Sequence, residues 1–232
     1  QWKNFPVFDA SDKIINIILD RKKPDQRSIV AVAGAPGAGK TTIAGELCDV
    51  LNHRETGSAE ILAMDGFHLD NSVLKARGIL NKKGAPETFD VDGFAATLER
   101  VRNSNQDVAI PVFDRQMDLA RAGASVIGSA TKIVIVEGNY LLLERPQWAR
   151  SAAHYDLTVL IEVPMSILED RLISRWISYG LEPIAARARA HQNDLLNAKV
   201  VARQSRPADI VVRLSNKRRN EGKETASADR MV

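Results

Sequence analysis

Ile29-Val30-Ala31-Val32-Ala33-Gly34-Ala35-Pro36-Gly37-Ala38-Gly39-Lys40-Thr41 is the stretch that decides the fold. Its first five residues are uniformly apolar, as in a strand covered by helices on both faces. The next eight satisfy G-x-x-x-x-G-K-[ST]. Glycines there let backbone N–H groups turn inward around an anion, and a helix opening at Lys40 offers its positive end to the same anion. A lysine in this position reaches β- and γ-phosphates, and the hydroxyl after it binds Mg²⁺. Gly34, Ala35, Pro36, Gly37, Ala38, Gly39, Lys40, Thr41 and Thr42 are therefore expected to hold a nucleoside triphosphate.

Working outward, short apolar runs recur at Ile61–Met64, Lys132–Val136, Asp156–Val163 and Ala208–Leu214. Val108–Phe113 is a further run, but Pro111 demotes it to an edge or irregular strand. Helical patterns lie between them. Lys40–Leu51 follows the first strand, and Val91–Arg102 puts Phe94, Leu98 and Val101 on one face behind Asp90 as N-cap. Met165–Tyr179 opens after Pro164 and stops at Gly180. Pro183 to about Arg203 reads as one helix or a pair, and Ser11–Arg21, with Ile14, Ile17 and Ile18, as a helix packed on the main domain. Strand and helix alternate, which predicts an α/β fold with a mainly parallel sheet.

The 232 residues, 44% hydrophobic and 26% charged, suit one folded domain over 1–214 and exclude general disorder. Residues 215–232 are polar and charged and read as a flexible tail. The basic excess, 32 against 29, is too thin for a nucleic-acid surface. The longest uncharged stretch, Ser28–Gly39, is twelve residues, too short for a membrane span, and no signal-peptide pattern is visible. One cysteine, Cys48, reads as a small core residue in a reduced, cytoplasmic setting, and the four histidines lack zinc spacing.

Binding a triphosphate is not yet chemistry. Glu137 follows Ile133-Val134-Ile135-Val136 at a strand end, where a carboxylate holds a Mg²⁺-bound water beside Thr41 or, alternatively, caps the turn at Gly138. No Asn-Lys-x-Asp signal for guanine occurs, and Glu-Gly in place of Asp-Glu argues against a motor ATPase. A kinase needs a base for the acceptor hydroxyl and cations that follow the phosphoryl group. Asp65, in Asp65-Gly66-Phe67-His68, ends a strand at the edge where ligands bind in open parallel sheets, or else serves an Asp-Gly turn. Arg171 and Arg175, four apart on a helix, suit either a lid over phosphates or a solvated face.

Six segments in order now carry a resemblance. They are Gly34–Thr41, Met64–His68, Lys82-Lys83-Gly84-Ala85-Pro86-Glu87-Thr88-Phe89-Asp90, Pro111-Val112-Phe113-Asp114-Arg115, Val136–Tyr140 and Arg171–Arg175. The chain resembles the phosphoribulokinase, uridine kinase and bacterial-type pantothenate kinase family. Within it, the chain is most similar to the branch named for nucleoside/nucleotide kinases and fructose transport system kinases. The resemblance implies a three-layer P-loop fold with a small helical lid at about 171–195, ATP and Mg²⁺ as cofactors, and a small-molecule acceptor. It matches Asp65 to the family's catalytic base, Lys40 and Thr41 to its phosphate and metal groups, and Glu137 to its strand-end acid. The lid arginine falls at Arg171 or Arg175. Lys83, Arg115 and Asp114 are nominated for the acceptor site.

Departures matter for the acceptor. Pantothenate kinases carry Ser-His where this chain has Asp114-Arg115, and uridine kinases carry Asp-x-Phe-Tyr where it has Asp65-Gly66-Phe67-His68. His68 either hydrogen-bonds a polyhydroxy acceptor or stabilises its loop. Asn193, Asp194 and Asn197 form a polar cluster that either approaches nucleotide or acceptor or, as the preferred account, makes a solvated helix face. The expectation is a Mg²⁺-dependent kinase of a sugar hydroxyl. A nucleoside or pantothenate-like alcohol is the alternative acceptor, and a non-catalytic nucleotide sensor the alternative class. Relatives are often dimers, and the sequence shows no interface signature.

Overall fold

The computed structural model describes residues 3–6, 10–23 and 26–213. Six strands form one parallel sheet in the order β1-β8-β7-β2-β6-β3. They are β1 (Lys3–Pro6), β2 (Ser28–Gly34), β3 (Ala59–Ala63), β6 (Ile133–Gly138), β7 (Leu157–Glu162) and β8 (Ile210–Arg213). The remaining two, β4 (Val108–Asp114) and β5 (Leu119–Ile127), make a separate antiparallel hairpin. The helices are α1 (Ala10–Arg21), α2 (Lys40–Arg54), α3 (Asn71–Ala76), α4 (Val91–Asn103), α5 (Pro146–Ala152), α6 (Met165–Ser178), α7 (Pro183–Arg189) and α8 (Leu195–Gln204).

Two cores sandwich the sheet, and β2 shows why. Val30 and Val32 join Ile14, Ile15 and Ile18 of α1 and Leu47 and Leu51 of α2 on one face. Ile29, Ala31 and Ala33 join Phe94, Leu98 and Trp148 on the other. Alternation with period two thus produces a run that is apolar throughout because both sides are covered. No helix among the described residues is long and apolar enough to cross a membrane.

Several expectations shift in detail. Met64 leaves the strand and opens a 3₁₀ turn, Met64–Phe67, so Asp65 stands on that turn just beyond β3. Gly66 explains the tight path: a Cβ there would sit 2.5 Å from the Pro111 carbonyl oxygen. Pro111 falls where the hairpin register shifts, between Ile110 and Val112. β5 escapes sequence reading because most of it faces solvent and carries no apolar alternation. The segment after Pro183 is the pair α7 and α8, joined by a π turn at Ala190–Asp194. Cys48 is only partly buried against the core. Residues 215–232 lie outside the described residues.

All six sheet strands being parallel, the ends of β2, β3 and β6 share one edge. Register makes this specific: Glu137 on β6 lies opposite Val32 on one side and Ala63 on the other. Whatever Glu137 presents therefore emerges between the glycine loop after β2 and the Asp65 turn after β3.

Candidate active site

A cleft of about 880 Å³ opens at that edge. One half is the glycine loop. Gly37 and Gly39 take positive φ, 79° and 92°, which turns the loop back on itself ahead of α2. Lys40 is 8% exposed, and its Nζ donates to the Ala35 carbonyl at 3.1 Å. Burial pushes its ammonium below the usual lysine range, opposed by the charges of Glu137 and Asp65. Glu137 is 6% exposed, and burial pushes its carboxyl above the usual range, opposed by Lys40. Thr41 Oγ1 donates to Glu137 Oε1 at 3.3 Å.

A hydroxyl and a carboxylate side by side are hard oxygen donors of the kind Mg²⁺ takes from a protein, with waters and phosphate oxygens filling its remaining positions. Among the described residues there is no cluster of three or more His, Cys, Asp and Glu that would form a dedicated protein cage. The donor set fits Mg²⁺ held together with a nucleotide.

The other half is assembled from distant segments. Asp65 reaches the cleft and forms an ion pair with Arg115 at 3.3 Å. His68 is held by its ring Nδ1, 2.8 Å from the Asp65 carbonyl, which makes that nitrogen the donor and leaves Nε2 as an acceptor when the ring is neutral. The ring packs in tilted contact with Phe89 and Phe113, at 4.1 and 4.6 Å between centroids, and burial pushes its pKa below the usual histidine value. Lys83 Nζ donates to Asn71 Oδ1 at 2.7 Å, lies 2.9 Å from Asp118 Oδ2, and sits over the Phe113 ring. Tyr140 OH donates to the Gly84 carbonyl at 2.6 Å and so ties the Lys83 loop to the end of β6.

Of the residues nominated from sequence, Pro36, Gly37, Gly39, Lys40, Thr41, Thr42, Asp65, His68, Lys83, Arg115, Glu137 and Arg175 line the cleft. Gly34, Ala35 and Ala38 are packed behind the loop. Asp114 does not line the cleft. Its Oδ1 accepts from the N–H groups of Gln116 and Met117 at the hairpin turn, and Arg121 pairs with its other oxygen. Strand alternation explains this, since neighbouring Phe113 and Arg115 face the cleft. Arg171 and Arg175 separate too: Arg171 braces the loop from outside by donating to the Gly37 carbonyl at 3.1 Å, while Arg175 lines the cleft. The Nε of Arg175 is buried with no hydrogen-bond partner among the described residues, and an unpaired guanidinium N–H of this kind suits an anionic oxygen.

Of the two readings of the late polar cluster, the preferred one is overturned. Asn193, Asp194 and Asn197 form no solvated face; they are 8%, 8% and 6% exposed and line the cleft. Sequence reading also missed Asn71, Asp118, Asn139, Trp176, Tyr179 and Arg189. Only Asp118 carries a local anomaly, a positive φ of 52° on a non-glycine residue, and that is invisible without a backbone.

The model of the phosphoribulokinase / uridine kinase family matches residues 29–219. The chain belongs to this family. It is 33% identical over 223 residues to the uncharacterized protein YggC of Escherichia coli (strain K12), covering 94% of this chain and 92% of that one. It is 29% identical over 218 residues to the "putative uridine kinase C227.14" of Schizosaccharomyces pombe, covering 89% and 92%. Among solved structures it is similar to a "putative fructose transport system kinase" from Silicibacter sp. TM1040, with 42% identity, a TM-score of 0.83, and 87% and 98% of the two chains covered. The chain is accordingly a P-loop kinase that uses ATP with Mg²⁺ to phosphorylate a hydroxyl of a small molecule.

Proposed function

We propose that the acceptor is a sugar or similar uncharged polyol, and that Asp65 is the base that takes its proton. The observation that carries this reading is the make-up of the acceptor half. Its groups are short-range hydrogen-bonding ones, and its charges are already matched, Asp65 with Arg115 and Lys83 with Asp118. Such a pocket suits several hydroxyls better than a second anion. A nucleoside would need an open aromatic face for its base. In the acceptor half Phe89 and Phe113 both pack tilted against His68 and Lys83 sits over Phe113, while the Trp176 ring elsewhere in the cleft is flanked by Arg175 and Arg189.

The chemistry assigned to each residue follows from position. Lys40 and Arg175 offset phosphate charge, and Lys40 is already inside the glycine loop. Thr41 and Glu137 would hold Mg²⁺, which when bound would supply positive charge to neutralise the phosphates. Asp65 faces these groups across the cleft and accepts the hydroxyl proton once Arg115 yields, a small cost because that pair is exposed and screened. His68 Nε2 accepts from a neighbouring hydroxyl and fixes the acceptor's orientation. The partly buried single thiol at Cys48 agrees with a reducing, cytoplasmic setting.

The test is ADP release from Mg-ATP across sugars, nucleosides and pantothenate, with Asp65→Asn as control. Turnover with a sugar that the variant loses supports the reading. Turnover with nucleosides alone overturns the acceptor class, and turnover that survives Asp65→Asn overturns the base.

A further inference from the structure

Between α7 and α8 the helix widens into the π turn Ala190–Asp194. Such turns add a residue to the helical circuit, are rare, and frequently occur at functional sites. Here the turn places two consecutive polar side chains, Asn193 and Asp194, in the cleft wall, each 8% exposed. Consecutive residues of an ordinary α-helix point about 100° apart, so a buried polar pair of neighbours needs a reason.

Each of the two reaches a different half of the cleft. Asp194 Oδ1 accepts from Arg175 Nη2 at 3.1 Å, and its Oδ2 accepts from Trp176 Nε1 at 2.6 Å. The Trp176 ring is flanked by two guanidinium groups, Arg175 at 5.6 Å and Arg189 at 5.2 Å. One carboxylate thus fixes both an arginine and the ring beside it. Asn193 Nδ2 donates to the Lys83 carbonyl at 2.8 Å, which anchors the turn on the acceptor loop. Asn197 Nδ2 donates to Asn193 Oδ1 at 3.2 Å and holds the amide in that orientation.

We infer that Asp194 is a positioning residue: it sets Arg175 against the γ-phosphate, from a turn whose place is fixed by the acceptor loop through Asn193. The inference rests on the reading of Arg175 given above as a phosphate-facing cation. Asp194 leaves one edge of the guanidinium committed, and the buried Nε has no partner among the described residues. Removing the negative charge frees the long arginine side chain to take other rotamers, while the glycine loop and Lys40 are untouched. The consequence is selective. Binding of the triphosphate weakens, and binding of the diphosphate, which lacks the group that Arg175 meets, does not.

The experiment needs no acceptor. Calorimetric titration with Mg-ADP and with Mg²⁺ and a non-hydrolysable ATP analogue gives the preference for triphosphate in the wild type, Asp194→Asn, Arg175→Ala and the double variant. The expected result is a preference lowered about tenfold in each single variant and by no further factor beyond about twofold in the double, with Mg-ADP affinity held within about twofold. Asp194→Glu, which displaces the charge by one methylene, is expected to lower the preference about threefold and replaces the Asn variant if that does not fold. Equal losses from Asp194→Asn in both backgrounds, or none in either, overturn the inference while leaving the role of Arg175 standing. If Arg175→Ala itself keeps the wild-type preference, the reading of Arg175 fails first and the inference goes with it.

Discussion

The two halves of the cleft are built in opposite ways. The phosphate half is built on one contiguous run, Gly34 to Thr42, whose shape comes from two glycines at positive φ and the start of a helix, with only Glu137 and Arg175 added from elsewhere. The acceptor half is drawn from four separated segments: the turn at Asp65–His68, the start of α3 at Asn71, the loop at Lys83, and the hairpin tip at Arg115 and Asp118. A diphosphate or triphosphate is the same object in every protein that binds one, so backbone N–H groups in a fixed local loop can serve it. An acceptor is particular to each enzyme, and its pocket is made of side chains that can change independently of the loop. The contrast teaches that chemistry and specificity here are separable, and variants should separate them.

The largest effect should come from Asp65→Asn, which keeps the shape of the side chain and removes the base. Turnover is expected to fall by about 10³-fold, while the affinity for Mg-ATP stays within about twofold. A comparable loss of ATP affinity in a binding titration would break the separation of the halves. Next is Glu137→Gln, on the phosphate side. About tenfold more Mg²⁺ should be needed for half-maximal turnover, measured by Mg²⁺ titration. Because burial raises the Glu137 carboxyl above its usual range, the wild type should also need more Mg²⁺ as the pH falls and that carboxyl protonates. The Gln variant should lack this dependence.

A smaller effect is expected from Lys83→Met. It keeps most of the stem but removes the ammonium that lies over Phe113 and holds Asn71 and Asp118. The acceptor KM should rise about fivefold with the ATP KM unchanged, and equal rises in both would show that the halves are mechanically joined. Smallest is His68→Phe, read by thermal denaturation against pH. Burial holds the folded pKa of His68 below its ordinary 6.5, so the unfolded chain binds the proton first. Stability from the neutral ring is fully present above about pH 6.5 and is lost as pH falls toward the folded value. The wild type should therefore lose more Tm than His68→Phe between neutral and mildly acidic pH.

How much was legible in the sequence follows the same division. The loop, the strands β2 and β6, the helix caps at Asp90 and Pro164 and the stop at Gly180 were all readable, because each depends on residues within a few positions of one another. Asp65 was readable as a candidate because its motif ends a strand. An Asp-Gly turn was open as the alternative, but not that Gly66 is needed there because the carbonyl of Pro111, 45 residues after it, leaves no room for a Cβ. Arg171 and Arg175 share a helical spacing, so periodicity could not tell the brace from the cleft residue. Asp114 was misplaced because a motif gives neighbours without giving the face of the strand each one occupies.

The sequence by itself determined the α/β alternation, the triphosphate loop, and the identity of the strand-end acids. Each is written in local periodicity, in glycine's backbone freedom, or in a motif short enough to act alone. Only the tertiary structure decided that Asn193 and Asp194 are buried in the cleft, that Lys83 is pinned between Asn71 and Asp118, and that Arg175 faces inward. Those facts depend on which distant surfaces the sheet order brings together. A polar residue on a helix looks the same in sequence whether the opposite wall is water or a loop 110 residues away.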